Sequence, residues 1–141
     1  YQVEEIHFRP GPVQQSRIPI WVGGFWPNKP PFRRAAQWDG VFPLFRHTEG
    51  VEEEVRLMRE MVSFIRDHRE DDRAFDVVAL GATSPSEPDR SQERVRRFAE
   101  AGATWWFESI TPFRFGEDLD GPWPTSRLRE RILAGPSKTW G

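Results

Sequence analysis

Residues 51–81 read VEEEVRLMREMVSFIRDHREDDRAFDVVALG, and this stretch decides the fold. Val51, Val55, Met58, Val62 and Ile65 step by four, three, four and three, while Glu52, Glu53, Glu54, Arg56, Arg59, Arg66 and Asp67 fall on the other side. That period is helical. An acidic first turn followed by basic later turns suits the helix dipole, so the pattern predicts a helix from about Val51 to His68. Glu70-Asp71-Asp72 follows as a solvated loop, and Phe75-Asp76-Val77-Val78-Ala79-Leu80 is a mostly apolar run closed by Gly81. An apolar run without alternation predicts a strand covered on both faces, as in a parallel sheet fed by crossover helices.

The same unit recurs on either side. Upstream, Ile18-Pro19-Ile20-Trp21-Val22 reads as a strand ended by Gly23-Gly24. Its Pro19 cannot donate to a ladder and belongs at the strand's first turn or an unpaired position. After Pro27, Pro30 and Pro31 comes a short helix from Pro31 to Gln37 with Phe32, Ala35 and Ala36 on one face, then a second strand, Gly40 to Phe45. Downstream, Asp89 or Ser91 can cap a helix that turns Val95, Phe98 and Ala99 inward, with Gly102 as its left-handed stop. Thr104-Trp105-Trp106-Phe107 is the fourth apolar run. A loop from Thr111 to Pro124 leads into a last helix with Leu128, Ile132 and Leu133 inward, ended by Gly135-Pro136. Gln2 to His7 reads as a short extended piece. Four strand–helix units predict an α/β fold with a parallel sheet: an extended segment and loop over 1–17, then one domain over 18–141.

Composition narrows the function classes. A chain of 141 residues fits one domain, and seven Trp with eleven Phe supply more buriable area than a solvated tail carries. Twenty Lys+Arg against twenty-two Asp+Glu give a net charge of -2, which argues against nucleic acid as a partner. The absence of Cys excludes disulfides, a thiolate nucleophile, iron–sulfur clusters and Cys-based zinc sites. No apolar run approaches the roughly 18 residues of a membrane span, and YQVEEIHFRP has no signal-peptide features, so the expectation is a soluble cytoplasmic protein with no membrane partner. His7, His47 and His68 show no metal-ligand spacing, so no metal is expected. No Ser-His-Asp order, phosphate-loop pattern or Gly-x-Gly-x-x-Gly is present.

Several segments together carry a family resemblance. They are Pro12-Val13-Gln14 ahead of Ile18-Pro19-Ile20-Trp21-Val22-Gly23-Gly24, Arg33-Arg34-Ala35-Ala36 with Trp38-Asp39-Gly40-Val41, then Asp76-Val77-Val78-Ala79-Leu80-Gly81 and Ala101-Gly102-Ala103-Thr104-Trp105-Trp106. As a set they resemble the second half of the luciferase-like monooxygenases, flavin- or deazaflavin-dependent oxidoreductases built as (β/α)8 barrels. The resemblance covers most of the chain up to about Ser109. It implies four βα units forming half of a TIM-type barrel, with FMN or a deazaflavin as cofactor. Four strands cannot close a barrel, so it further implies association: a homodimer, or pairing with a complementary N-terminal half, whether separate or part of a longer chain. A catalytically silent half-barrel acting by association is the alternative.

In such folds ligands sit at the carboxyl ends of strands, which nominates the residues after each apolar run. Gly23, Gly24 and Phe25 are cofactor candidates after the first, since two glycines admit an anion close to backbone amides, and the resemblance implies contact there with the cofactor's phosphate or ribityl chain. A tight turn explains the glycines equally. Trp26 is a candidate for the substrate wall. After the second strand, Arg46 and His47 can hold an anionic substrate or form an ordinary surface loop. After the third, Gly81, Ala82 and Thr83, with Ser84, have the composition of a phosphate cradle or of a plain turn. After the fourth, Glu108 is the catalytic candidate: among Trp105, Trp106 and Phe107 its pKa can rise for proton transfer, or it can pair with an arginine such as Arg114 and hold a loop. Trp105 and Trp106 send one indole to each face of their strand, in a core role. Arg94, Arg96 and Arg97, beside Glu93 and Glu100, read as a solvated helix back.

Overall fold

Pro19 carries no amide hydrogen, and the first strand starts two residues beyond it, as β1 (Trp21–Trp26). The chain continues through α1 (Lys29–Ala35), β2 (Gly40–Phe45), α2 (Val51–Arg66), β3 (Asp76–Gly81), α3 (Pro88–Glu100) and β4 (Trp105–Glu108). A 3-10 turn (Pro112–Phe115) and α4 (Thr125–Leu133) complete it. The structure is a computed structural model and describes residues 10, 11, 13 and 17–135. The extended piece over Gln2 to His7 and the terminal Pro136 lie outside the described residues.

All four strands are parallel and lie in sequence order, β1-β2-β3-β4. The β1–β2 ladder runs its full length, from Trp21 opposite Gly40 to Trp26 opposite Phe45. Between β2 and β3 only Gly40–Asp76 and Val41–Val77 are paired. Pro43 accounts for the early stop: it has no N–H to donate, and since the β1 ladder passes it uninterrupted, the missing donor falls toward β3. Between β3 and β4 pairing resumes from Val78–Trp105 to Gly81–Glu108.

Alternation along these registers divides the sheet into two unequal faces. Val22, Trp26, Val41, Phe45, Val77, Ala79 and Trp106 meet Phe32 and Ala35 of α1, Val55, Met58, Met61 and Ile65 of α2, and Phe98 of α3 in one core. Fully burying side chains of this size contributes about 1.5–3 kcal/mol each. The other face carries Trp21, Phe25, Phe42, Leu80, Trp105 and Phe107, and among the described residues no helix packs over it; Trp105 is 49% exposed. The expectation of strands covered on both faces is therefore corrected. The runs are apolar throughout because this second face holds an aromatic cluster, not because helices flank both sides. Trp21 lies 5.7 Å from Trp105 and 5.9 Å from Phe107, and Phe42 lies 5.5 Å from Phe107. Asp76 fastens this cluster, accepting the indole N–H of Trp21 at 3.1 Å and that of Trp105 at 2.9 Å. Trp105 thus leaves its expected core role for the open face.

Other local expectations shift for identifiable reasons. Gly23 and Gly24 do not end β1 but sit in its middle, where a Cβ on Gly24 would fall 2.7 Å from Pro31 Cβ. The glycine lets α1 lie close against the strand. Helix α2 ends two residues early and buries Met61, which the four-three spacing passes over, while Val51 and Val62 are only half-buried. Neither Asp89 nor Ser91 caps α3: the helix opens at Pro88, Asp89 sits in its first turn and Ser91 lies inside it. Ala99 is exposed and Ala101 takes its place in the core. Gly102 adopts φ 103°, as the left-handed stop requires. In α4 only Leu128 of the expected inward residues is buried; Ile132 and Leu133 are exposed, and Arg131 is buried instead. Among the described residues no helix is long and apolar enough to cross a membrane.

Candidate functional site

Where β3 and β4 end side by side, Gly81 and Glu108 are register partners on the helix-covered face. A Cβ on Gly81 would lie 2.7 Å from Trp106 Cζ2, so glycine is what allows the Trp106 ring to cross the strand there. The ring's N–H in turn donates to Glu108 Oε2 at 3.0 Å. Glu108 gathers the chain around it. Its Oε1 accepts the Thr83 amide at 2.8 Å and Arg114 Nη1 at 2.6 Å, and its Oε2 accepts the Thr83 hydroxyl at 2.9 Å. Arg131 of α4 donates to Thr83 Oγ1 at 2.9 Å and lies 3.0 Å from Glu108 Oε1. Arg114 also reaches the Thr83 and Ser109 carbonyls.

Burial pushes the Glu108 carboxyl up, but the hydrogen bonds from Trp106, Thr83 and Arg114 outweigh it and hold the group below its usual value. Glu108 is thus a fixed carboxylate. The reading in which it carries a raised pKa for proton transfer is corrected, and the arginine-paired reading describes what the structure contains.

Beside this knot lies a basin of about 580 Å3 bounded by the turn after β3, one side of α3 from Arg90 to Arg97, and Arg114 with Phe115. Ala82, Thr83 and Ser84 form one wall; Arg90, Arg94, Arg97 and Arg114 supply four guanidinium groups. The Ser84 amide is held by Ser91 Oγ at 2.8 Å, and that hydroxyl donates back to the Ser84 carbonyl at 3.1 Å. The amides of Thr83 and Ser84 are therefore both occupied within the chain and do not face an anion. The donors facing the basin are side-chain cations. Arg94 Nη2 pairs with Glu54 at 3.2 Å, Arg97 pairs with Glu52, and Arg90 stands 3.4 Å from Glu87 at the surface. Arg94 Nε is buried and finds no hydrogen-bond partner among the described residues. Glu87 and Glu93 line the same basin, so its four guanidiniums are largely answered by carboxylates of the chain, and the buried Arg94 N–H is the group left without a partner among the described residues.

The remaining candidates are dispersed. Gly81 and Thr83 belong to the knot and Ala82 to the basin. Gly23 is exposed within β1, and Gly24 faces α1. Phe25 is on the open face with the Arg46 guanidinium 3.7 Å over its ring; His47 follows with φ 54°, exposed. Neither Arg46 nor His47 lines the basin. Trp26 is not part of a ligand wall: it is buried against Phe32, 5.1 Å away, and Phe64 on the helix side. No group of His and carboxylate residues among the described residues is arranged to hold a metal.

Sequence reasoning passed over Arg90 and treated Arg94 and Arg97 as solvent-facing. Their spacing of four and three, which puts all three on one stripe of α3, was the available signal. Only Arg96 behaves as the solvated face predicts, pairing with Glu93 at 2.9 Å and with Glu100. Arg131 had no local signal, since its partner Thr83 is 48 residues away in sequence. Comparison of the chain with models of protein families, with curated proteins and with solved structures finds no match.

Proposed function

We propose that the chain is half of a (β/α)8 barrel in a luciferase-like, flavin- or deazaflavin-dependent oxidoreductase, and that its basin receives the cofactor's phosphate end. The observation that carries this reading is the arginine basin at the carboxyl end of β3, in a sheet whose strands follow sequence order with helices α1, α2 and α3 on one side. Ligands of barrel enzymes gather at that end of the strands. FMN, once bound, supplies the redox chemistry of its ring. This chain's residues would do the holding: Arg94 and Arg90 would receive the phosphate end, Ala82 and Thr83 would border it, and the Glu108 knot keeps the turn in place. Arg46 and Phe25 stand at the carboxyl end of the open face as candidates for the substrate side.

The uncovered aromatic face supports a complementary half as partner, either a second copy or an N-terminal half, because water-exposed aromatics and a bare sheet edge favour association. It equally supports the second reading, a half-barrel that works by association without catalysis. Titration of the full chain with FMN and with a deazaflavin, followed by flavin fluorescence, tests the first reading. Saturable binding that weakens steeply with salt is the expected result, and no binding by the chain at any state of assembly overturns it. Sedimentation at rising concentration tests association, and a persistent 16.5 kDa monomer overturns self-pairing.

A further inference from the structure

The C-terminal helix α4 touches the sheet through an unusual side chain. Arg131 is 8% exposed, in a position where the helix's apolar residues Ile132 and Leu133 lie outside. Its Nη1 donates to the Gly135 carbonyl at 2.6 Å, closing the end of its own helix. Its Nη2 faces two groups of the knot at once, Thr83 Oγ1 at 2.9 Å and Glu108 Oε1 at 3.0 Å. A buried cation is stable only where carboxylates and hydrogen bonds answer it, and among the described residues Glu108 is the carboxylate that does so. Glu108 in turn holds the amide and hydroxyl of Thr83, the residue that starts the basin wall.

We infer that Arg131 is a positioning residue for the turn Thr83–Ser84: by clamping Glu108 and the Thr83 hydroxyl together it fixes the wall against which the basin's anion rests. That the anion is a cofactor phosphate rests on the reading above; that Arg131 sets the turn does not. Arg114 makes the parallel contact from the 3-10 turn, but it also lines the basin, so removing it alters both the wall and the ligand charge. Arg131 does not line the basin, which makes it the cleaner variable.

The test is amide hydrogen exchange by NMR on the full chain, with FMN affinity measured beside it. In Arg131→Ala, protection of the Thr83 and Ser84 amides should fall about tenfold or more while Val41 and Val77 in the sheet keep theirs. Arg131→Lys, which keeps the charge but has one nitrogen where arginine uses Nη1 for the Gly135 carbonyl and Nη2 for the knot, should fall between. Glu108→Gln should reproduce the loss at Thr83. If FMN binds the wild-type chain, its Kd should rise about tenfold in Arg131→Ala, consistent with a displaced wall. Turn protection that depends on Arg131 in a chain that takes no FMN upholds the assignment and removes the cofactor reading. FMN binding with Thr83 and Ser84 unchanged in Arg131→Ala does the reverse and overturns the assignment.

Discussion

Gly81 lies directly beneath the indole of Trp106, in space that no side chain can share. The position closes β3 and opens the turn that borders the basin, so its glycine serves packing before it serves any ligand. Gly81→Ala should force Trp106 from its ring position and loosen its 3.0 Å bond to Glu108. Overpacking of this kind costs about 1–3 kcal/mol. Urea unfolding should show a lower midpoint at an unchanged slope, and tryptophan fluorescence should report the moved ring.

The two faces of the sheet should respond differently to the same truncation. Phe98 is 2% exposed against Trp106 in the helix-side core, whereas Phe107 on the open face is 38% exposed. Phe98→Ala should cost about 3–5 kcal/mol, as for a buried aromatic. Phe107→Ala should cost under about 2 kcal/mol, because less area leaves the protein interior, and should lower binding of an apolar dye such as ANS. Equal destabilisation of the two variants would mean that the open face is covered in solution.

Asp39 ties the approach to β1. Its carboxylate accepts the Ile20 amide at 2.7 Å and the Arg17 guanidinium, whose hydrogen bond is the chief cause holding its pKa down to about 2. A carboxyl lowered in the folded state stabilises the fold above its unfolded pKa near 3.9 and loses that contribution as pH falls toward about 2. Thermal melts between pH 4 and 2 should fall more steeply for the wild type than for Asp39→Asn. Parallel curves would show that the pair contributes nothing.

The basin's anion affinity should rest on side-chain charge. Arg94→Ala should weaken FMN or inorganic phosphate binding by about tenfold or more, and raising salt from 50 to 200 mM should weaken the wild type as well, since several guanidiniums meet one phosphate. Salt-independent binding would locate the anion away from α3. Isothermal titration at two salt concentrations distinguishes the outcomes.

Much of the fold is legible in residues 40–45 and 51–81, where apolar runs and helical period need only local chemistry to be read; β2 spans the predicted limits, and α2 differs only at its end. The first strand runs later than its apolar residues suggest because Pro19 has no N–H to pair, and Gly24 reads as a stop when its role is to admit Pro31. The candidate site was half visible. Thr83, Glu108 and Arg114 can be nominated from their places after strands, but what joins them is distance in space across long separations in sequence. Arg131 shows the limit most clearly: helical periodicity ranks Ile132 and Leu133 as the inward residues of α4, and only a carboxylate brought in by β4 explains why the charged neighbour turns in instead.

Pro43 has a mechanical consequence. With backbone pairing between β2 and β3 confined to their first two positions, the sheet consists of two strand pairs joined at one end, and a small void of about 160 Å3 among Pro43, Leu80 and Phe98 already separates their free ends. At those ends side-chain packing, and no ladder of backbone hydrogen bonds, joins the two pairs, so the carboxyl rim of the sheet is the less tightly stitched of its two rims.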